Sequence, residues 1–293
     1  MTTHLRALLL GLALLLPLPS AATDGVDEGL LWRVEAEGAE APSYLFGTAH
    51  TNDERVLELP EPVDEAFRSA EHYRFELDFN AIDMASARQH MVYSGGRRLS
   101  DVLPKKLWQR AVDAAASLGI PERGVERLKP WALATTLAAP VQDMTQTLDH
   151  QLYTRAQQRG GSVEGLETLE EQLTIFGDMD ESLQVELLRT TLDQHEAGRI
   201  QQLQEQLTQE YLERDLAGMM ALAEEHPGLP GDEDADALME RLLDERNHTM
   251  VERLADALDT GGAFVAVGAL HLPGAEGLIR LLEQSGYQVS RVY

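Results

Sequence analysis

Two rhythms of apolar and polar positions alternate along this chain, and the places where one gives way to the other divide it. Leu30 to Glu37 and Ser43 to Thr48 read as the two strands of a hairpin, separated by Gly38-Ala39-Glu40-Ala41-Pro42. Glu61 to Ala70 reads as a short helix opened by proline. In His72-Tyr73-Arg74-Phe75-Glu76-Leu77-Asp78-Phe79 apolar residues alternate with polar ones, the period of two that marks a strand with one apolar and one polar face. From Asn80 to Gln158 the rhythm is helical, with helices expected near 81–92, 101–118, 130–140 and 145–159. Ser162 to Leu166 is a brief strand, and 168–226 is nearly all helix, including the long polar stretch Leu183 to Glu213. An acidic loop, Gly228 to Asp236, leads into a helix over Ala237 to Leu258. The end is regular: strand Ala263 to Leu270, helix Gly274 to Ser285, strand Tyr287 to Tyr293.

Strands thus cluster at the two ends around a helical block over about 80–258. The predicted fold is α/β of mixed α+β kind: a central sheet assembled from N- and C-terminal strands, with a large helical insertion packing on or capping it. Composition narrows the setting. Residues 1–22 have a basic start with Arg6, an uncharged run from Ala7 to Leu18, and small residues Ser20-Ala21-Ala22. That is the pattern of a secretory signal cleaved near Ala22, too short for the ~20 apolar residues of a comfortable span. The remaining 23–293 is expected to form a single domain, exported to a periplasm or secreted, without stable membrane insertion. There is no cysteine, which removes disulfides and thiolate ligands. Fifty acidic against 24 basic side chains give a net charge of -26, a surface that repels nucleic acid.

Candidate chemistry sits at strand ends. Gly47-Thr48-Ala49-His50 and Gly268-Ala269-Leu270-His271 each place a histidine three residues after a glycine, at the end of a run that reads as a strand. Ligands of open α/β sheets bind outside strand ends, and a glycine there lets a backbone or ligand come close. Two hydrogen-bonded structural histidines satisfy the same pattern. Should the polar face of the third strand look toward them, Glu76 completes a set of two histidines and one carboxylate suited to a divalent metal with open positions. The alternative is a solvated sheet face bearing Glu76 and Asp78, as half-exposed antiparallel strands commonly show. Arg246 interrupts the apolar ridge Leu242, Met250 and Leu254, so it is either an Arg–carboxylate strut, with Glu76 or Glu167, or a substrate contact. Asn247 beside it is placed to orient a ligand or bind a backbone carbonyl. Asp149 and Glu167 supply either carboxylates to the same site or simple caps.

Taken together, Leu45-Phe46-Gly47-Thr48-Ala49-His50, the strand carrying Glu76, Gly165-Leu166-Glu167-Thr168, Arg246-Asn247 and Val267-Gly268-Ala269-Leu270-His271-Leu272-Pro273-Gly274 resemble the TraB/GumN family in content and order. The resemblance covers essentially all of the chain after the signal. It implies kinship with the Tiki proteases, which act as divalent-metal-dependent peptidases, and more distantly with erythromycin-esterase-like hydrolases and ChaN-like haem-binding proteins. His50, Glu76 and His271 become the metal set, for Mn, Co or Zn. Arg246 and Asn247 become substrate or transition-state contacts. In the mechanism read from these residues together, Arg246 stabilises a developing oxyanion and Glu76 or Glu167 moves the proton. The function so implied is an exported metallohydrolase cleaving a peptide or protein substrate. The rivals are a non-catalytic module that sequesters a peptide or haem, and a metal-free esterase-like hydrolase.

Overall fold

The first and last strand pairs of the chain interleave rather than forming separate sheets. In the computed structural model, which describes residues 26–139, 146–225, 228–229 and 232–293, β1 (Leu31–Glu35) and β2 (Ser43–Thr48) pair antiparallel as the expected hairpin, Leu31 opposite Phe46 and Val34 opposite Ser43. The predicted signal segment, 1–22, lies outside the described residues. Four further strands follow: β3 (His72–Leu77), β4 (Ser162–Glu167), β5 (Ala263–Gly268) and β6 (Gln288–Arg291). Their order in the sheet is β4-β3-β5-β2-β1-β6. β4, β3, β5 and β2 run parallel, and β1 and β6 join antiparallel on one side. Register sets Thr48 of β2 beside Gly268 of β5, so the two glycine–histidine motifs end side by side.

The half-solvated antiparallel alternative for β3 does not hold. β3 is interior and parallel to both neighbours, a setting in which both faces are covered by other layers. Its polar side chains are accordingly enclosed: Arg74 is 12% exposed and ion-paired with Glu164 at 3.3 Å, and Glu76 is also 12% exposed.

Two hydrophobic cores share no residue. One lies on the sheet, where Phe264 is wholly buried with Phe67 at 5.2 Å and Phe46 at 5.9 Å between ring centroids. The other joins the helices of the middle region around Trp131, Leu133, Leu188 and Leu192. Helices Arg199–Glu213, Leu216–Glu225 and Glu245–Thr260 belong to the sheet core through Tyr211, Leu216 and Met250. Truncating Phe264→Ala is expected to lower stability by about 3–5 kcal/mol, because the cavity between three packed rings cannot collapse onto a rigid sheet. Urea unfolding followed by circular dichroism measures it.

Several boundaries differ from the sequence expectation. The polar stretch Leu183 to Glu213 is broken at Gly198, whose φ of 68° is left-handed, into Glu181–Glu196 and Arg199–Glu213. The last long helix begins earlier than expected, at Asp232, and carries a π turn over Glu240–Asp244. Acidic residues in a first helical turn complement the helix dipole, so the acidic run is helix rather than loop. β5 stops at Gly268, two residues early, and a 3-10 turn over Ala269–His271 swings the histidine back toward the sheet edge. Among the described residues no helix is long and apolar enough to cross a membrane.

Candidate active site

All four parallel strands deliver side chains from their carboxyl ends to one place. Beyond β2 stands His50, near the end of β3 Glu76, at the end of β4 Glu167, and beyond β5 His271. Nε2 of His50 and Nε2 of His271 each lie 3.8 Å from the same atom, Oε1 of Glu76. The backbone N–H of Gly268 donates to that oxygen at 2.6 Å. A Cβ on Gly268 would fall 3.1 Å from Glu76 Oε1 and 3.5 Å from His50 Nε2, so this glycine keeps the space between the three side chains open. Gly47 serves a different closeness: a Cβ there would meet the Ala269 backbone at 3.0 Å, where the chain leaving β5 crosses β2.

Each imidazole is held through its other nitrogen. Asn247, 1% exposed, donates from Nδ2 to the Glu276 carbonyl at 2.8 Å. A carbonyl only accepts, so Oδ1 of Asn247 must face His271 Nδ1, 2.7 Å away, and that nitrogen carries the hydrogen. The lone pair of His271 is thereby left on Nε2, toward Glu76. His50 Nδ1 lies 3.0 Å from Asp149 Oδ2, while Thr48 donates its hydroxyl to Asp149 Oδ1 at 2.5 Å. Asp149 is set there by the first turn of helix Leu148–Arg159, whose Leu148 N–H bonds the Thr51 carbonyl at 3.1 Å.

Arg246 fixes the carboxylate. Its Nη2 donates to Glu76 Oε2 at 2.9 Å and to Glu167 Oε2 at 2.7 Å, its Nε to Glu167 Oε1 at 2.9 Å, and its Nη1 to the Leu242 carbonyl at 2.9 Å. Gln172 bridges the same two carboxylates, at 3.2 Å from Glu76 and 3.1 Å from Glu167. Replacing Arg246→Met leaves two enclosed carboxylates, 12% and 4% exposed, without the guanidinium that bridges them. A loss of about 3–5 kcal/mol is expected from stranding a buried charge, measured by denaturant unfolding of the variant.

Burial and charge move the three central groups apart. Burial is the largest influence on Glu76 and pushes it up, but His271, His50, Arg246 and the Gly268 N–H outweigh it and hold the carboxyl near about 2. Burial likewise dominates at His271 and brings it down to about 4, so this ring is neutral at neutral pH. The Asp149 carboxylate beside it pushes His50 the other way, well above the ordinary imidazole range. The His50 side chain keeps 57% exposure, and water in the cleft screens that attraction.

The three groups floor a cleft of about 690 Å³ whose far side is helical, with Leu207, Met219, Ala223 and Leu243 among its lining. The helical insertion, expected to pack on or cap the sheet, contributes to this lining through helices Arg199–Glu213 and Leu216–Glu225 and the π turn.

The sequence profile of the TraB/PrgY/gumN family matches residues 30–291. The chain belongs to that family. It is 26% identical over 310 residues to the metalloprotease TIKI2 of Danio rerio, covering 88% of this chain and 60% of that protein. It is 25% identical over 310 residues to the metalloprotease TIKI1 of Homo sapiens, covering 88% of this chain and 61% of that protein. The chain thus spans about three fifths of the length of these relatives. No solved structure matches it significantly.

In this TraB/PrgY/gumN member His50, Glu76, Arg246 and His271 all line the cleft. Glu167 and Asn247, which the sequence offered as a proton carrier and a substrate contact, do not line it. Glu167 is the partner of Arg246, and Asn247 stands against His271 with both ends of its amide engaged. Of the two alternatives for Arg246, the strut is present, with both carboxylates named for it. Asp149 is more than a cap, since it holds His50 and Thr48. Sequence reasoning missed Thr48 and Gln172. Thr48 lies inside the first motif and was open to notice, whereas Gln172 is 96 residues from Glu76 and shares no pattern with it.

Among the described residues, no group of three or more His, Asp or Glu side chains is arranged to hold a metal ion as it stands. The donor chemistry nevertheless fits one: two imidazole Nε2 atoms directed at a carboxylate, each imidazole oriented by a hydrogen bond at Nδ1, is the nitrogen and oxygen set that Zn, Mn and Co accept.

Proposed function

We propose that this protein is an exported, divalent-metal-dependent hydrolase that cleaves peptide bonds. The observation that carries the proposal is the approach of two oppositely derived imidazoles, His50 and His271, to one Glu76 oxygen at 3.8 Å each, on the floor of an open cleft. Similarity to the TIKI metalloproteases supports the reaction class.

When bound, a divalent ion polarises a carbonyl and acidifies water. His50, His271 and Glu76 are the residues proposed to hold it. Asp149 and Asn247 orient the two rings so that their Nε2 atoms face inward, as partners behind metal-ligating histidines do. Arg246, with every nitrogen engaged, braces Glu76 instead of reaching for an oxyanion, and Glu167 and Gln172 complete that brace. Gly268 leaves room for a substrate backbone beside the three side chains.

A second proposal, a metal-free hydrolase in which His50 alone activates water, draws on the Thr48–Asp149–His50 chain of hydrogen bonds, which has the logic of a carboxylate-oriented catalytic imidazole. One experiment separates them. Metal content and affinity are measured for wild type and for His50→Ala/His271→Ala, with peptide hydrolysis followed before and after chelation. About one ion per chain, lost in the double variant, with activity abolished by chelator and restored by Mn, Co or Zn, is the expected result. Activity indifferent to chelation in a metal-free protein would establish the second mechanism. Export is tested separately by N-terminal sequencing of the mature protein, expected to begin after Ala22.

A further inference from the structure

The far wall of the cleft carries information that the metal-binding set does not use. Leu203, Leu207 and Tyr211 succeed one another at intervals of four along helix Arg199–Glu213 and so share a face. The Tyr211 hydroxyl donates to the carbonyl of Gly47 at 3.0 Å, which ties this face to the first glycine–histidine motif. Leu207, one turn away, and Leu203, two turns away, both line the cleft. Elsewhere in the cleft lining Arg246 is anchored to Glu76 at 2.9 Å and to the Leu242 carbonyl at 2.9 Å. Leu242 and Leu243 line the cleft just before it, in the π turn Glu240–Asp244, a distortion that recurs at functional sites. Two helical segments that each bring leucines to the cleft are therefore both tied by hydrogen bonds to the same centre.

Charge says what can sit between them. Among the described residues lining the cleft, Arg246 is the only Lys or Arg, and its nitrogens are committed to Glu76, Glu167 and the Leu242 carbonyl. Asp53 and Glu205, the other carboxylates lining the cleft, are both paired with Arg55, at 2.6 and 2.9 Å. Among these leucines an acidic side chain would give up its hydration with no cation of theirs to meet it, whereas an apolar side chain finds apolar faces.

We propose that Leu203, Leu207, Leu242 and Leu243 form a subsite that takes one large apolar side chain of a peptide next to the bond presented to His50, His271 and Glu76, and that this subsite rejects an acidic residue. The identity of the bond rests on the hydrolase function proposed above, while occupancy of the subsite does not. A single hydrophobic contact of this size discriminates by about 10- to 200-fold.

The test uses the mature protein and a peptide series that differs at one position at a time, carrying Leu, Ala, Lys or Glu. Cleavage is read by mass spectrometry, and binding of the same peptides is read by calorimetry on wild type, Leu207→Ala, Leu243→Ala and Leu207→Asp. At one position Leu is expected to exceed Ala by about tenfold and Glu by about a hundredfold in both readouts. Either alanine variant should shrink that preference about tenfold, and Leu207→Asp should turn it toward Lys; the alanine variants suffice if the aspartate variant does not fold. Cleavage or binding without side-chain preference, or a preference that both alanine variants leave intact, overturns the subsite and spares the hydrolase proposal. An apolar preference in binding without cleavage of any peptide supports the subsite and overturns the hydrolase proposal. No binding of any peptide overturns both.

Discussion

Replacing Glu76→Gln is expected to lower kcat/KM for peptide hydrolysis by about 10³-fold or more, while the protein stays folded. Gln is nearly isosteric, and its amide oxygen can still accept the Gly268 N–H that now reaches Glu76 at 2.6 Å. Its amide cannot neutralise the neighbouring cations, nor supply the anionic oxygen on which both imidazoles converge at 3.8 Å. Arg246 keeps a partner in Glu167, bonded at 2.7 Å, so the helix it belongs to stays attached to the sheet. Steady-state kinetics beside a thermal melt read the two consequences separately. Wild-type rates in a folded Glu76→Gln protein would remove the carboxylate from the chemistry and leave it as a strut.

The second large effect belongs to a residue outside the cleft. Asn247→Leu is expected to weaken divalent-metal affinity by about 10- to 100-fold, the range found when a partner behind a ligating histidine is lost. In the native protein Asn247 Oδ1 accepts from His271 Nδ1 at 2.7 Å and thereby reserves Nε2 for the centre. Leucine fills similar space but leaves His271 free to change tautomer and leaves the Glu276 carbonyl without its donor. Stability falls too, by about 1–3 kcal/mol for the stranded polar groups, so a melt alone does not identify the role. The discriminating readout is a competition titration with Mn or Co under conditions where wild type and variant are both fully folded. Unchanged affinity would make Asn247 a packing residue only.

Both effects depend on contacts that a linear sequence does not show. The alternation Tyr73, Phe75, Leu77 against Arg74, Glu76, Asp78 identified β3 and its two faces, because period-two patterning is a local consequence of the pleat. What lay against the polar face was not local. Whether Glu76 met solvent or two histidines depended on β3 being interior and parallel, a fact of strand order. Arg246 was legible as an intruder on an apolar ridge for the same periodic reason, and the need for a carboxylate followed from the cost of burying a charge. That the carboxylates are Glu76 and Glu167 together, bridged by Gln172, followed only from the fold. The end of β5 was misplaced because apolar Ala269 and Leu270 extend the strand pattern, while the turn that ends it is set by the crossing near Gly47.

The sequence by itself determined the mixed α/β class, the strand-rich ends around a helical middle, and the pair of glycine–histidine motifs, since all three are written in spacing and side-chain size. The tertiary structure decided which neighbours meet: the parallel register that sets Thr48 beside Gly268, the hydrogen bonds of Asp149 and Asn247 to the two rings, and the leucines that line the cleft. The division has a physical origin. Periodicity and burial act within a few residues of chain, whereas hydrogen-bond partners and enclosed charges are chosen by packing between segments as distant as Glu76 and Gly268, 192 residues apart.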